Sequence, residues 1–191
     1  SLLSYSALRG FRLNWSADNN RIAFSKQVEN LNSAIYVYGF ADKKLHQLTA
    51  GYYNDADPVF DPGGKYLFFQ TDRRLQPLYS GLDATWIYPN TTQIAYASLD
   101  PTAKSLLVAR NDEVKIAADT NAAAKPAPTD KAAAPAAAAP VVKNISVKPD
   151  NFEARVQVLP VPAGNYGTMA AMDGKLIYHR LPNSGSSGEQ P

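Results

Sequence analysis

Residues 57–74 read DPVFDPGGKYLFFQTDRR, and the fold follows from how this stretch is read. Val59 and Phe60 end a first apolar run. Asp61-Pro62-Gly63-Gly64-Lys65 is a turn, because proline presets φ near −65° and glycine accepts φ > 0 without a Cβ clash. Tyr66-Leu67-Phe68-Phe69 is too short for a helix and rich in aromatics, so it reads as a buried strand. Thr71-Asp72-Arg73-Arg74 is polar and leaves the sheet. Alone, this is one β-hairpin.

The hairpin recurs. Forty-five residues earlier stands WSADNNRIAFS, Trp15–Ser25, and the two stretches align without a gap. Trp15 lies over Phe60, Ser16–Asn19 over the turn, and Ile22-Ala23-Phe24 over Leu67-Phe68-Phe69. Met172-Asp173-Gly174-Lys175-Leu176-Ile177-Tyr178 is a weaker third copy. A repeat of this length with several short strands per unit predicts β-propeller blades. An ordinary β-sandwich is the alternative, and the gapless repeat speaks against it.

The rest of the chain fills in the blades. Phe11–Trp15, Arg21–Lys26, Ala34–Gly39 and Leu45–Thr49 read as four strands of a first blade, with Asn tolerating left-handed φ in the turn after Ala17. Ala56–Phe60, Lys65–Thr71 and Thr92–Leu99 begin a second, with a long loop over Asp72–Tyr88. Ser105–Ala109 reads as a short extra strand. Arg155–Pro160 supplies the missing fourth strand. Asn165–Met172 and Lys175–Arg180 open a third blade.

Between the third and fourth strands of the second blade lies Ala117–Pro140, in which 13 of 24 residues are alanine. Prolines at 126, 128, 135 and 140 cut it into pieces too short to nucleate a helix. It has no apolar face, so it reads as a mobile, disordered insertion. The predicted fold class is therefore all-β: about two and a half four-stranded antiparallel blades of a six- or seven-bladed propeller. The blades cover 8–50, 55–98 with 155–162, and 165–182. Residues 99–154 form an insertion that is low-complexity at 117–140. Because the chain starts at Ser1 and stops in a loop-like SGSSGEQP, it reads as part of a longer protein.

Composition excludes several classes of function. A net charge of +2 without a long basic cluster points to neither nucleic acid nor a membrane surface as partner. With no cysteine there is no disulfide, thiolate metal site or cysteine nucleophile. No apolar run approaches the ~20 residues of a membrane helix. Catalytic residues are not expected. His46 and His179 are the only histidines, each sits in an expected strand, and no G-x-S-x-G occurs. No metal site or cofactor is expected either, since Asp55, Asp57 and Asp61 lack calcium-loop spacing and Gly63-Gly64-Lys65 is not a phosphate loop.

The candidate binding residues follow the central strand. Arg73 and Arg74 could clamp a peptide carboxylate bidentately; the alternative is a solvated or blade-bridging pair. Tyr79, Trp86 and Tyr88 in the next loop could offer an aromatic peptide surface, or simply pack that loop onto its scaffold.

The strings WSADNNRIAF and FDPGGKYLFF resemble the repeat of TolB-like propellers. The set formed by TDR at 71–73, YPNTTQI at 88–94 and RVQVLPVPAGNY at 155–166 resembles the propeller region of tricorn-like serine peptidases. Asp18-Asn19-Asn20 departs from the usual P-D-G-K turn of the repeat. The resemblance implies a non-catalytic propeller that guides or gates peptides for a protease domain, with peptides or unfolded segments as ligands. It also implies PDZ-like and protease domains in the same parent chain. A TolB-like protein-interaction module attached to no enzyme is the alternative function. A homo-oligomer is a further expected partner. The expected compartment is the periplasm, with the cytoplasm as the alternative.

Overall fold

In the computed structural model the described residues are 12–74, 78–79, 86–87, 90–107 and 144–183. They form antiparallel strands and one short 3-10 turn. The first sheet is a meander of β1 (Leu13–Trp15), β2 (Arg21–Gln27), β3 (Ser33–Gly39) and β4 (Leu45–Gln47), in that spatial order. The second sheet contains β5 (Ala56–Phe60), β6 (Tyr66–Thr71), β9 (Gln93–Ser98) and β10 (Val156–Val158). Its fourth strand arrives after the long excursion of the chain, but it takes the place β4 holds in the first sheet. Val156, Gln157 and Val158 pair with Ala97, Tyr96 and Ala95, as Leu45, His46 and Gln47 pair with Tyr38, Val37 and Tyr36.

The repeat read from sequence is also a repeat of geometry. Ser16 N–H donates to Arg21 O at 3.0 Å, and Asp61 N–H donates to Tyr66 O at the same distance. Asn19 N–H bonds Ser16 O, and Gly64 N–H bonds Asp61 O. Asn19 and Gly64 are both left-handed, with φ of 55° and 67°. Asparagine tolerates that conformation and glycine takes it freely, so two unlike sequences make one turn. Trp15 pairs with Ile22 as Phe60 pairs with Leu67.

A third sheet is the hairpin of β11 (Asn165–Met172) and β12 (Lys175–Leu181). β5 lies in the middle of the arrangement, against β1, β2 and β3 on one side and β11 on the other. Alternation along β6 sorts the cores. Leu67 and Phe69 join Ala23, Ile35, Val37 and Leu48 of the first sheet in one apolar cluster, with Phe60, Ala95 and Ala97 beside them. Val59 and Ile94 point the opposite way and meet Tyr166 and Met169. The second sheet is thus covered on both faces, which is why β6 and β9 each hold four successive apolar residues, Tyr66–Phe69 and Ile94–Ala97. Each large side chain so buried contributes about 1.5–3 kcal/mol.

The strand ends differ from the sequence reading for local reasons. The first blade's last strand stops at Gln47 rather than Thr49. There the Thr49 hydroxyl accepts the Ile35 N–H at 3.0 Å, replacing a ladder bond. Arg155 lies in a 3-10 turn, Glu153–Arg155, and not in the strand. Its guanidinium donates to the carbonyls of Ser98, Lys148 and Asp150. The loop expected over Asp72–Tyr88 contains a two-residue ladder, β7 (Leu78–Tyr79) and β8 (Trp86–Ile87). Ser105–Leu107 are not a strand; Leu107 N–H donates to the Tyr96 hydroxyl, and Val108 and Ala109 lie outside the described residues.

The stretch 99–154, read as an insertion, is packed structure at both ends. Leu99, Ile145 and Phe152 are buried in the first apolar cluster. Lys148 N–H bonds Leu99 O, and Ile145 N–H donates to Asp18 Oδ2 at 2.8 Å. The excursion therefore starts and returns at the seam between the first two sheets. Ala117–Pro140 lies outside the described residues.

Candidate functional site

Of the expected binding residues, Arg73 and Arg74 follow the end of β6, near where β4 crosses to β5. The crossing, residues 50–55, is tied down from several sides. Gly51 O accepts from Asn30 Nδ2 at 2.8 Å and Asn32 Nδ2 at 3.0 Å. Gly51 has φ of 83°, and a Cβ there would meet Val28 Cγ2 at 2.7 Å, so glycine is required twice over. Asn54 N–H bonds Asp72 Oδ1, which joins the crossing to the tail of β6.

Arg73 is the hinge of this end. Its Nη2 lies 2.7 Å from Asp55 Oδ2, and 3.4 Å from Glu153 Oε1. Its guanidinium carbon stands 4.8 Å over the Tyr53 ring. The Asp55 side chain is 0% exposed and that of Arg73 14%. Thr71 Oγ1 donates to Asp55 Oδ1 at 2.7 Å. Burial pushes the Asp55 carboxyl above its ordinary range, against the pull of Arg73, Thr71 and Thr49. Glu153 also accepts the Ala50 N–H at 3.0 Å, so the 3-10 turn before β10 is bound into the same network.

This arrangement is that of the second reading of Arg73, the blade-bridging one. Arg73 is a bridging residue whose guanidinium is engaged by Asp55 and Glu153, and it is not a free clamp for a peptide carboxylate. Arg74 is exposed, and among the described residues no carboxylate stands within ion-pair distance of it. Tyr79 and Trp86 are brought together as direct partners across β7 and β8. Tyr88 lies outside the described residues.

Two aromatics were missed. Tyr52 is 77% exposed and Tyr53 40%, both on the crossing beside Arg73. The signal was the GYYN string at 51–54, two tyrosines in a polar connection. Shallow grooves of ≈ 540 Å³ and ≈ 500 Å³ flank Ala50, one lined by Lys26, Glu29 and Tyr36, the other by Phe152 and Glu153. The end of the sheets thus offers tyrosine faces, one exposed arginine and two open grooves. Those are groups that bind peptide by stacking and charge.

Hydrolytic chemistry finds no purchase among the described residues. His46 Nε2 lies 3.6 Å from Asp42 Oδ2, but no serine hydrogen-bonds either histidine. No three His, Asp or Glu side chains converge as a metal site. The three aspartates near the central turn diverge. Asp55 faces Arg73, Asp57 accepts from Arg12 at 3.2 Å, and Asp61 caps its own turn through Lys65 N–H. No described helix is long and apolar enough to cross a membrane.

The class defined so far is an all-β chain of antiparallel, blade-like sheets packed face to face. Its fold is similar to that in the crystal structure of the tricorn protease, with a TM-score of 0.64 and 17% identity. The match covers 91% of this chain and 15% of that one, so the chain spans a small part of that protein's length. No protein-family model and no curated protein matches the sequence. The likeness is one of fold, and neither the TolB-like nor the peptidase resemblance gains sequence support from it.

Proposed function

We propose that this chain is a non-catalytic β-propeller portion of a tricorn-like serine protease, and that it guides or gates peptides for a protease domain outside the sequence. The observation that carries the reading is the fold likeness to the tricorn protease across nine-tenths of the chain. The end bearing Tyr52, Tyr53 and Arg74 is the face that meets peptide.

Isothermal titration calorimetry of the whole chain with a diverse set of unstructured peptides tests it. At least one peptide should give a saturable binding response. Tyr52→Ala with Arg74→Ala should weaken that response several-fold without changing the circular dichroism spectrum. No saturable response with any member of a diverse peptide set would overturn the reading. Peptide cleavage by the purified chain would overturn its non-catalytic part.

A further inference from the structure

Residues 144–152 cross the seam between the first two sheets as a strap that belongs to neither. Left-handed asparagines bound its extended part, with φ of 55° at Asn144 and 53° at Asn151. None of the residues between them is in a strand. Ile145 and Val147 turn into the first apolar cluster, while Ser146 and Lys148 are exposed. Phe152 enters the same cluster beyond the second asparagine. Two amides anchor the backbone, Ile145 N–H on Asp18 Oδ2 and Lys148 N–H on Leu99 O. Extended peptides are held in this way, with alternate side chains in pockets and main-chain bonds to the rim.

The strap does not fill its trough. At its start a groove of ≈ 520 Å³ opens between Asn144–Ser146 and the Gly63–Tyr66 turn. At its end the groove of ≈ 500 Å³ lies between Leu48–Ala50 and Asn151–Glu153. The walls of the seam are the two four-stranded sheets, each a complete blade, so no further strand is needed to build it. The strap itself pairs with no strand of either sheet, so it can leave the seam with every ladder intact.

We propose that the first seam is a binding trough for an extended polypeptide, and that residues 144–152 occupy it as a tethered pseudo-ligand which an incoming segment displaces. The strap defines the ligand class. It is a segment with a branched apolar residue, a second one two positions on, and an aromatic residue beyond, whose first amide is free to donate to Asp18. Unfolded chains expose such segments and folded ones bury them. The proposal rests on the peptide-handling reading for its choice of ligand, and it adds a seat for apolar side chains. The groove beside Ala50 adjoins the crossing that carries Tyr52 and Tyr53.

The test uses the whole chain, isotope-labelled, with an unlabelled peptide of residues 144–152 and amide exchange read by NMR. The peptide should speed exchange at Ile145 and Lys148 saturably and leave Leu67 and Ala95, in the walls, unchanged. The same peptide with Ile145→Asp should have no effect. In a chain carrying Ile145→Ala and Val147→Ala the tethered competitor is weaker, so the peptide should act at several-fold lower concentration. Three results would each overturn the proposal: no saturable change in the wild-type chain, equal effects of the two peptides, or exchange that rises at Leu67 together with Ile145. Peptides that bind by calorimetry while the strap stays protected would sink this proposal and leave the peptide-handling reading standing. Strap displacement with no calorimetric binding from the diverse set would do the reverse.

Discussion

Replacing Arg73 with methionine should destabilise the protein by about 3–5 kcal/mol at neutral pH, the range for stripping one partner from a buried ion pair. The structure places this pair in the buried class. Asp55 is wholly inaccessible, Arg73 nearly so, and the shortest contact is 2.7 Å. An exposed pair of the same charges would be worth about 0–1 kcal/mol. Methionine keeps an apolar stem of similar length while removing the guanidinium, with its ion pairs and its contact over Tyr53. Urea unfolding followed by tryptophan emission would measure it. In a chain of this size the melting point should fall by about 6–20 °C.

The pH dependence gives the sign. Burial already holds the Asp55 carboxyl above its ordinary value, and removing Arg73 can only raise it further. A raised carboxyl favours the folded state below the unfolded pKa and loses that contribution as pH rises through the folded pKa. The Arg73→Met penalty should therefore shrink as pH falls from 8 toward 5. Asp55→Asn in the same background should recover a large part of it, since asparagine can still accept from Thr71. A penalty below about 1 kcal/mol that does not vary with pH would refute the buried-clamp account.

Other expectations rest on single residues. Phe152→Ala should cost about 3–5 kcal/mol by denaturant unfolding, because the ring is buried at the first seam; a cost near zero would return residues 144–154 to the insertion. Deleting residues 117–140 should leave stability nearly unchanged, since loop length costs only about 0.6 kcal/mol per doubling. Gly64→Ala should lose about 1–2 kcal/mol while Asn19→Gly is neutral or stabilising, as both positions are left-handed; equal effects would mean the turns are not equivalent. Asp18 should oppose Asp55 in acid. Burial raises it, but the Ser16 hydroxyl, the Ile145 and Asn20 amides and Arg21 hold it below its ordinary value. Its contribution is present above the unfolded pKa and is lost as pH falls through the lower folded value. Asp18→Asn should thus flatten the acid limb of a stability–pH curve, and an unchanged limb would refute this.

The strands were legible because a sheet covered on both faces leaves a local mark. Tyr66–Phe69 and Ile94–Ala97 are each four successive apolar residues, a run too short for a helix and typical of a buried strand. The 45-residue repeat was legible for a different reason. The left-handed residue after each first strand allows few side chains, so Asn19 and Gly64 stand at matching places. The anchoring of residues 144–154 was not legible. Ile145 and Phe152 are isolated apolar residues in polar company, with no period to mark them, and only the second seam partner shows what they fill. The excursion between β9 and β10 could hide its ends because pairing of Val156 with Ala97 depends on contacts far apart in sequence.

The candidate site divides along the same line. Two arginines after a strand present one pattern whether they bind ligand or brace the fold, since either use needs a carboxylate that need not be near in sequence. Arg73 finds Asp55 18 residues back and Glu153 80 residues on. Its neighbour Arg74, one position along the tail, is exposed. Residues of one type in tandem at the end of a buried strand take opposite fates, and only the exposed member is free to meet a ligand. Arg74, exposed on the tail that Asp72 ties to the crossing of Tyr52 and Tyr53, is therefore a position at which charge at this end of the fold can act on something other than the fold itself.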